Sequence, residues 1–244
     1  MRARLSILLF ILSLAACAGA SANLAGEVTY AKDAKGNYQK GKEALDGHDY
    51  QEASQYFLYT KNKFPYSHYA PLAELALADA NFEEEKYTEA IDAYKNFIKD
   101  HPTNPEVDYA AYRIGLAHYK DIPSDFVLVP ASYEKDQDEI EKAQISIKDF
   151  LASYPDSKWV PDAKKLLVDT RSRLARHELY VGEYYEKHGH PKAAAWRYEA
   201  LAKNYPDTPL AAEARRRAER IYAKLSPDTR HLESPSPAAS PSGS

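Results

Sequence analysis

The apolar positions along the chain recur in a fixed grammar. Four times an alanine is followed by an aromatic or aliphatic residue at +4 and a proline at +12: Ala53/Phe57/Pro65, Ala90/Tyr94/Pro102, Ala143/Ile147/Pro155 and Ala194/Tyr198/Pro206. Two residues after each proline stands a helix-capping type, Ser67, Asn104, Ser157 or Thr208, with Pro105 and Pro209 expected at the first helical position. Ala73, Ala110, Ala163 and Ala214 then lie at +8 from the prolines, with Leu77, Ile114, Leu167 and Ala218 at +12, which keeps small and apolar residues on one helical face. Each unit therefore predicts a helix pair. Small alanines let two helices approach, bulky residues fill the groove between them, and the proline stops the second helix.

Period and composition match the tetratricopeptide class of helix-turn-helix repeats, whose usual unit is about 34 residues. The spacings between the four alanines are 37, 53 and 51 residues, so the third and fourth repeats carry extra chain. In the third, residues 121–137 hold two prolines and no helical period, which predicts a loop with the apolar tip Phe126 to Val129. In the fourth, apolar or small residues at 163, 167, 170, 174, 181 and 185 predict one long helix from about 160 to 187, threatened only by Gly182. A last helix, 209–225, has the stripe Ala211, Ala214, Ala218, Ile221 and Leu225 and no partner after it. The expected fold is an all-α solenoid of about five repeats over residues 37–225, the last one incomplete.

The ends differ from this body. Arg2 and Arg4 precede the apolar run Leu5 to Leu14, then Ala15, Ala16 and Cys17. This is the order of a signal peptide, 1–16, and the run is too short to span a bilayer, which needs about 20 apolar residues. Leu14-Ala15-Ala16-Cys17 resembles the bacterial lipobox, so the only cysteine of the chain is expected to be the lipidated mature N-terminus. The alternative is an ordinary secretory signal with a chance cysteine. Acyl chains add about 0.8 kcal/mol per buried CH₂, so three of them hold a domain firmly. Ala18, rather than aspartate, follows the cysteine, which points to the outer membrane. Residues 17–36 are expected as lipidated N-terminus and tether; residues 226–244, with six serines and four prolines, are expected to form a disordered tail.

Composition excludes several functions. The chain has 244 residues, 28% charged, with a net charge of -4 that becomes about -6 once residues 1–16 are removed. Phosphate neutralisation needs clustered excess Lys and Arg, so nucleic acid is excluded as a partner. Only 9 glycines accompany 20 tyrosines, which favours helices with aromatic packing. None of the HExxH, GxSxG, GxxxxGK[ST] or GxGxxG patterns occurs, and no catalytic residue, cofactor or metal is expected. Asp136, Asp138, Glu139 and Glu141 lack the glycine and distal glutamate of a calcium loop and read as residues favouring a helix N-terminus. His188 and His190 read as turn residues. Arg215, Arg216, Arg217, Arg220 and Lys224 line the polar side of the last helix, either as a solvated face or as a docking patch for an acidic partner or lipid headgroups.

A lipobox followed by these repeats resembles the BamD family of lipoproteins of the outer-membrane β-barrel assembly machine. The segments that carry the likeness are Phe64-Pro65-Tyr66-Ser67-His68-Tyr69, Pro102-Thr103-Asn104-Pro105 with Asp108-Tyr109 and Gly115, Tyr154-Pro155-Asp156-Ser157, Arg173-Leu174-Ala175, Glu183-Tyr184-Tyr185 and Tyr205-Pro206-Asp207-Thr208. The resemblance implies a five-repeat α-solenoid on the periplasmic face of the outer membrane, without catalysis. It implies binding of the periplasmic domains of the barrel-forming subunit and of unfolded barrel proteins. Phe64, Tyr66 and Tyr69 cluster at the junction of the first two repeats, and the resemblance points to the same region for the C-terminal signal of barrel substrates. Arg197, in the segment Arg197-Tyr198-Glu199, is similar to the family segment that contacts the barrel subunit. Two departures stand out: the fifth repeat lacks its second helix, and Asp138-Glu139-Ile140 replaces the family's Arg-Asp-Pro. A pilotin-like lipoprotein chaperoning a secretin, or a peptidoglycan-associated structural lipoprotein, would share lipid and repeats without the quoted segments.

Overall fold

The computed structural model describes residues 28–122 and 137–225. The chain divides into two compact units, residues 1–30 and 31–244, and all the described helices belong to the second. They are α1 (Ala34–Asp46), α2 (Tyr50–Lys63), α3 (Tyr69–Glu83), α4 (Tyr87–Asp100), α5 (Val107–Lys120), α6 (Asp138–Ser153), α7 (Val160–Lys187), α8 (Pro191–Asn204) and α9 (Ala211–Lys224). Each helix packs against its neighbours in the chain, and α1 also meets α3 as α5 meets α7. Nearest-neighbour stacking of helix pairs is the architecture of a repeat solenoid. The signal peptide, Cys17, the apolar tip Phe126 to Val129, Asp136 and the tail 226–244 lie outside the described residues.

The first helix begins at Ala34, inside the segment expected as tether. Polar contacts rather than an apolar stripe define this entry. The Asp33 carboxylate accepts the Gly36 N–H at 2.7 Å. Asn37, fully buried, accepts the Ala31 N–H at 2.8 Å and donates to the carbonyls of Ala31 and Asp33 at 2.9 and 2.7 Å.

The alanines and their partners form the core. Ala53, Ala90, Ala143 and Ala194, and likewise Ala73, Ala110, Ala163 and Ala214, have no exposed surface, and Phe57, Tyr94, Ile147 and Tyr198 are buried with them. Three of these large side chains rest on a glycine of the preceding helix. A Cβ on Gly41 would stand 2.5 Å from the Phe57 ring, one on Gly115 2.8 Å from Ile147, and one on Gly182 2.5 Å from the Tyr198 ring. Gly182, expected as the weak point of α7, is instead a site of close approach between α7 and the Tyr198 ring of α8. Its helix-propensity penalty of about 1 kcal/mol is offset by that packing.

The four prolines each follow a helix C-cap, at Phe64, His101, Tyr154 and Tyr205, whose backbone lies near φ -126 to -131° and ψ 51 to 59°. A following proline disfavours the helical region at that residue, so the second helix of every repeat stops there. The next helix then starts later than the sequence suggests. Ser67, Asn104 and Ser157 accept from the N–H two residues on, at 3.2, 2.9 and 3.2 Å. Their carbonyls accept i→i+3 bonds from Ala70, Val107 and Val160, so a tight turn precedes α3, α5 and α7. Thr208 does not cap with its side chain; it donates to the Tyr205 carbonyl at 2.8 Å. Pro105 and Pro209 accordingly lie in these turns and not at the first helical position.

Turns within repeats share one device. In repeats one, two and four the middle residue, His48, Glu85 or Gly189, has φ of 64, 62 or 80°. The residue before it and the residue after it each donate a backbone N–H into the last turn of the preceding helix.

Helix α7 runs for 28 residues, about 42 Å, and serves two repeats in succession. Its start, around Ala163, packs on α5 and α6, while its end, around Gly182, pairs with α8. Val168, between the two contacts, is 61% exposed. The described chain closes on α9, whose Ala211, Ala214, Ala218 and Ile221 cover α8.

Candidate functional site

The first helices of repeats one to three, α1, α3 and α5, border a cleft of about 380 Å³. Its lining mixes charge with aromatic surface: Lys42 and Leu45 from α1, Asp79 and Glu83 from α3, Tyr109 and Arg113 from α5. Asp79 organises the floor. Its Oδ1 accepts the hydroxyls of Tyr94 at 2.6 Å and Tyr109 at 2.9 Å, and Arg113 lies 3.6 Å away. Arg113 in turn donates from Nε to the Tyr94 hydroxyl at 2.9 Å and from Nη2 to Glu83 at 3.1 Å, with its guanidinium 3.7 Å from the centre of the Phe82 ring.

The side chain of Arg113 is only 12% exposed. Burial penalises its charge, but Tyr94, Tyr109 and Asp79 around it outweigh that and raise its pKa. Burial first, then the Asp79 carboxylate, push the Tyr94 and Tyr109 hydroxyls up, against the pull of Arg113. Both phenols thus remain hydrogen-bond donors at neutral pH. A satisfied network in low dielectric fixes the relative placement of repeats two and three and gives the cleft a rigid wall of mixed polarity.

The same arrangement recurs at the C-terminal end. Arg217 stands nineteen residues after Tyr198, as Arg113 does after Tyr94. It donates to the Tyr198 hydroxyl at 3.4 Å, to Glu183 at 2.7 Å and to Glu213 at 2.7 Å, while Tyr198 donates to Glu186 at 2.8 Å. Burial and Glu186 push Tyr198 up to about 12 against the opposing pull of Arg217. Repeats one and three carry apolar residues at both places, Phe57 with Ala76 and Ile147 with Leu166. Junctions between repeats therefore alternate between apolar packing and a tyrosine–arginine–acid staple. Arg217, read from sequence as part of either a solvated face or a docking patch, turns instead toward Glu183 on α7 and Tyr198 on α8.

The residues singled out from sequence separate into different environments. Phe64 is the first of the four C-cap residues, and its ring packs on Tyr59 with centroids 6.1 Å apart, as His101 packs on Phe97 and Tyr154 on Phe150. Tyr69 packs on Tyr38 at 5.5 Å and on His68 at 5.6 Å, and Tyr38 continues to Phe57. Tyr66 is fully exposed. The other repeats have Thr103, Asp156 and Asp207 in that place, all polar. Arg197 faces Glu178 on α7 at 3.3 and 3.4 Å, the two side chains being 23% and 18% exposed.

Glu139 pairs with His118 at 3.1 Å and Lys142 at 2.6 Å, and among the described residues no group of three or more His, Cys, Asp or Glu is placed to hold a metal. His188 packs on Tyr184 and donates its Nδ1–H to the Tyr184 carbonyl 2.7 Å away. Sequence reasoning missed the Asp79–Tyr94–Tyr109–Arg113 cluster. The available signal was Arg113 at +3 from Ala110, matched by Arg217 at +3 from Ala214.

The sequence profile of one family, YfiO, described as outer membrane lipoprotein, matches residues 30–234. Among curated relatives, the outer membrane protein assembly factor BamD of Caulobacter vibrioides is 27% identical over 188 residues, 77% of this chain and 59% of that protein. The assembly factor BamD of Pasteurella multocida is 28% identical over 77% of this chain and 73% of its own length. That of Neisseria gonorrhoeae is 28% identical over 88% and 81%. The chain thus spans less than two thirds of the Caulobacter protein. Among solved structures, the TPR2AB domain of yeast Sti1 in complex with pHSP90 is similar over 78% of this chain and 70% of that one, with a TM-score of 0.43 and 15% identity. On the match over residues 30–234, the chain belongs to the YfiO family of outer membrane lipoproteins.

Proposed function

We propose that this chain is a non-enzymatic component of the outer-membrane β-barrel assembly machinery, anchored through lipid on Cys17 and facing the periplasm. It binds the periplasmic domains of the barrel-forming subunit with its C-terminal half and receives unfolded barrel proteins with its N-terminal half. Family membership and relatives named as outer membrane protein assembly factors support the setting. No helix among the described residues is long and apolar enough to cross a membrane, which is consistent with attachment by lipid.

The observation that carries the substrate half of the reading is Tyr66. A wholly exposed aromatic ring stands at the junction of repeats one and two, where every other repeat is polar. Folding gains nothing from it, whereas an extended segment with an aromatic end would bury it. Phe64 and Tyr69, held by their own ring contacts, form the rigid shoulders of that seat. A photoreactive residue at position 66 or 69 is expected to capture the C-terminal peptide of a barrel protein, and mild-detergent extraction is expected to recover a stoichiometric barrel subunit with periplasmic repeats. Capture only from α9, or copurification of a secretin, would overturn the assignment. Mass spectrometry of the mature N-terminus tests Cys17, and Cys17→Ser is expected to let a high-salt wash release the domain from the membrane.

A further inference from the structure

The closing helix α9 buries one face and leaves the opposite arc bare. Ala211, Ala214, Ala218 and Ile221 face α8, while Ala212, Arg215, Arg216, Glu219, Arg220, Ala223 and Lys224 are exposed. Arg216, Arg220 and Lys224 follow one another at i, i+4 and i+8, a single row of cations about 12 Å long. Like charges at that spacing repel, and Glu219 is the one carboxylate on the arc. Among the described residues no side-chain ion pair or hydrogen bond involves Arg215, Arg216, Arg220 or Lys224, although Arg217 between them reaches inward to Glu183 on α7 and Tyr198 on α8 and pairs with Glu213 on its own helix. The repulsion is thus retained on a chain whose net charge is negative.

We propose that the exposed arc of α9 is a second membrane contact, in which Arg216, Arg220 and Lys224, with Arg215 beside them, lie on the anionic phospholipid headgroups of the facing leaflet. The chemistry is that of phosphate diesters: guanidinium forks match phosphate oxygens, and long cationic side chains can extend to them while the helix stays docked on α8. A protein partner fits less well, because interface affinity concentrates in aromatic anchors seated in pockets, and this arc offers only two alanines between its charges. The apolar face is committed to the fold, so the helix rests on the headgroups and does not enter the acyl region. The proposal rests on the outer-membrane reading above.

The full chain carrying Cys17→Ser, which removes the lipid anchor, is the protein to test. It is expected to cosediment with vesicles of phosphatidylethanolamine containing one-quarter phosphatidylglycerol, and not with vesicles in which phosphatidylcholine replaces the anionic lipid. Binding is expected to fade as salt is raised. Adding Arg216→Gln, Arg220→Gln and Lys224→Gln together is expected to weaken binding roughly a hundredfold, at about a factor of five per basic residue. Lysine in place of both arginines is expected to retain most of it, and thermal unfolding, followed in parallel, to stay unchanged because all three side chains are exposed. Equal binding to both vesicle types, undiminished binding of the triple variant, or binding to polyglutamate with none to anionic vesicles would each overturn the proposal. Because this assay contains only the chain and lipid, its failure leaves the copurification result standing, and the reverse also holds.

Discussion

Arg113 on the first helix of repeat three donates to the hydroxyl of Tyr94 on the second helix of repeat two, and Asp79 of repeat two accepts from that same hydroxyl. The tyrosine is thus a bridge between an acid of its own repeat and a cation of the next. Tyr94→Phe is expected to lower stability by about 1–2 kcal/mol and Arg113→Leu by about 2–4 kcal/mol, since the latter strips a nearly buried carboxylate of its cation. The double variant is expected to lose at least ~1 kcal/mol less than the sum. At Tyr198 and Arg217 the effects are expected to stay below about 1 kcal/mol, because Glu183 and Glu213 are 49% and 46% exposed. Urea unfolding of the single and double variants decides the matter; strict additivity would dissolve the bridge into independent contacts.

Gly182→Ala improves helix propensity by about 1 kcal/mol yet places a methyl group 2.5 Å from the Tyr198 ring. Overpacking of that kind typically costs about 1–3 kcal/mol, so a net loss of stability is expected. Tyr198→Leu in the same chain is expected to recover part of the loss Gly182→Ala causes, measured against Tyr198→Leu alone. A stabilised Gly182→Ala protein would contradict the close approach.

The turns supply an opposite pair. Glu85 holds φ of 62° without being glycine, and Gly189 holds 80° with open space around its Cα. Glu85→Gly is expected to stabilise by up to about 1 kcal/mol through relief of left-handed strain, and Gly189→Ala to destabilise by about 1–2 kcal/mol with no steric component. Thermal unfolding of both, in one buffer, compares them directly.

Acid sensitivity is expected at the junction of α7 with the turn after α8. Arg171 donates to both carboxylate oxygens of Asp207 and to the Asn204 carbonyl at 3.0 Å. These bonds hold Asp207 below the ordinary aspartate value of 3.8, burial working the other way. A depressed carboxylate contributes stability above its unfolded pKa and loses it as pH falls through the folded value. Arg171→Gln is therefore expected to melt lower at neutral pH, with the gap to the parent narrowing below about pH 4. Parallel melting curves across that range would remove Asp207 from the acid response.

For Arg197 the pair with Glu178 sets a sharper test than a single substitution. An interfacial role requires a partner carboxylate to compete with Glu178, and the 3.3 Å separation leaves the guanidinium available for exchange. Arg197→Leu is expected to weaken binding to the periplasmic domain of the barrel subunit, by an amount equivalent to about 2–5 kcal/mol for a desolvated pair. Glu178→Gln, which frees the same guanidinium, is expected to preserve or tighten it. Affinity unchanged in both, with both melting lower, would make Arg197 a structural residue.

Local periodicity determined most of the fold. The +4 and +12 grammar from Ala53, Ala90, Ala143 and Ala194 placed four second helices and their stops, because burial on one helical face and the backbone restriction before proline act within a few residues. The unbroken stripe from 163 to 185 gave α7 from 160 to 187 for the same reason. The start of α1 escaped because Asp33 and Asn37 define it by hydrogen bonds to backbone, which leave no apolar period to read. Tertiary structure alone decided which charges meet: Arg113 with Tyr94 and Asp79, Arg217 with Tyr198, Arg197 with Glu178. Those partners lie 19 to 34 residues apart on different helices, and their meeting depends on crossing geometry and close contacts such as Gly182 on Tyr198, which no spacing along one helix encodes.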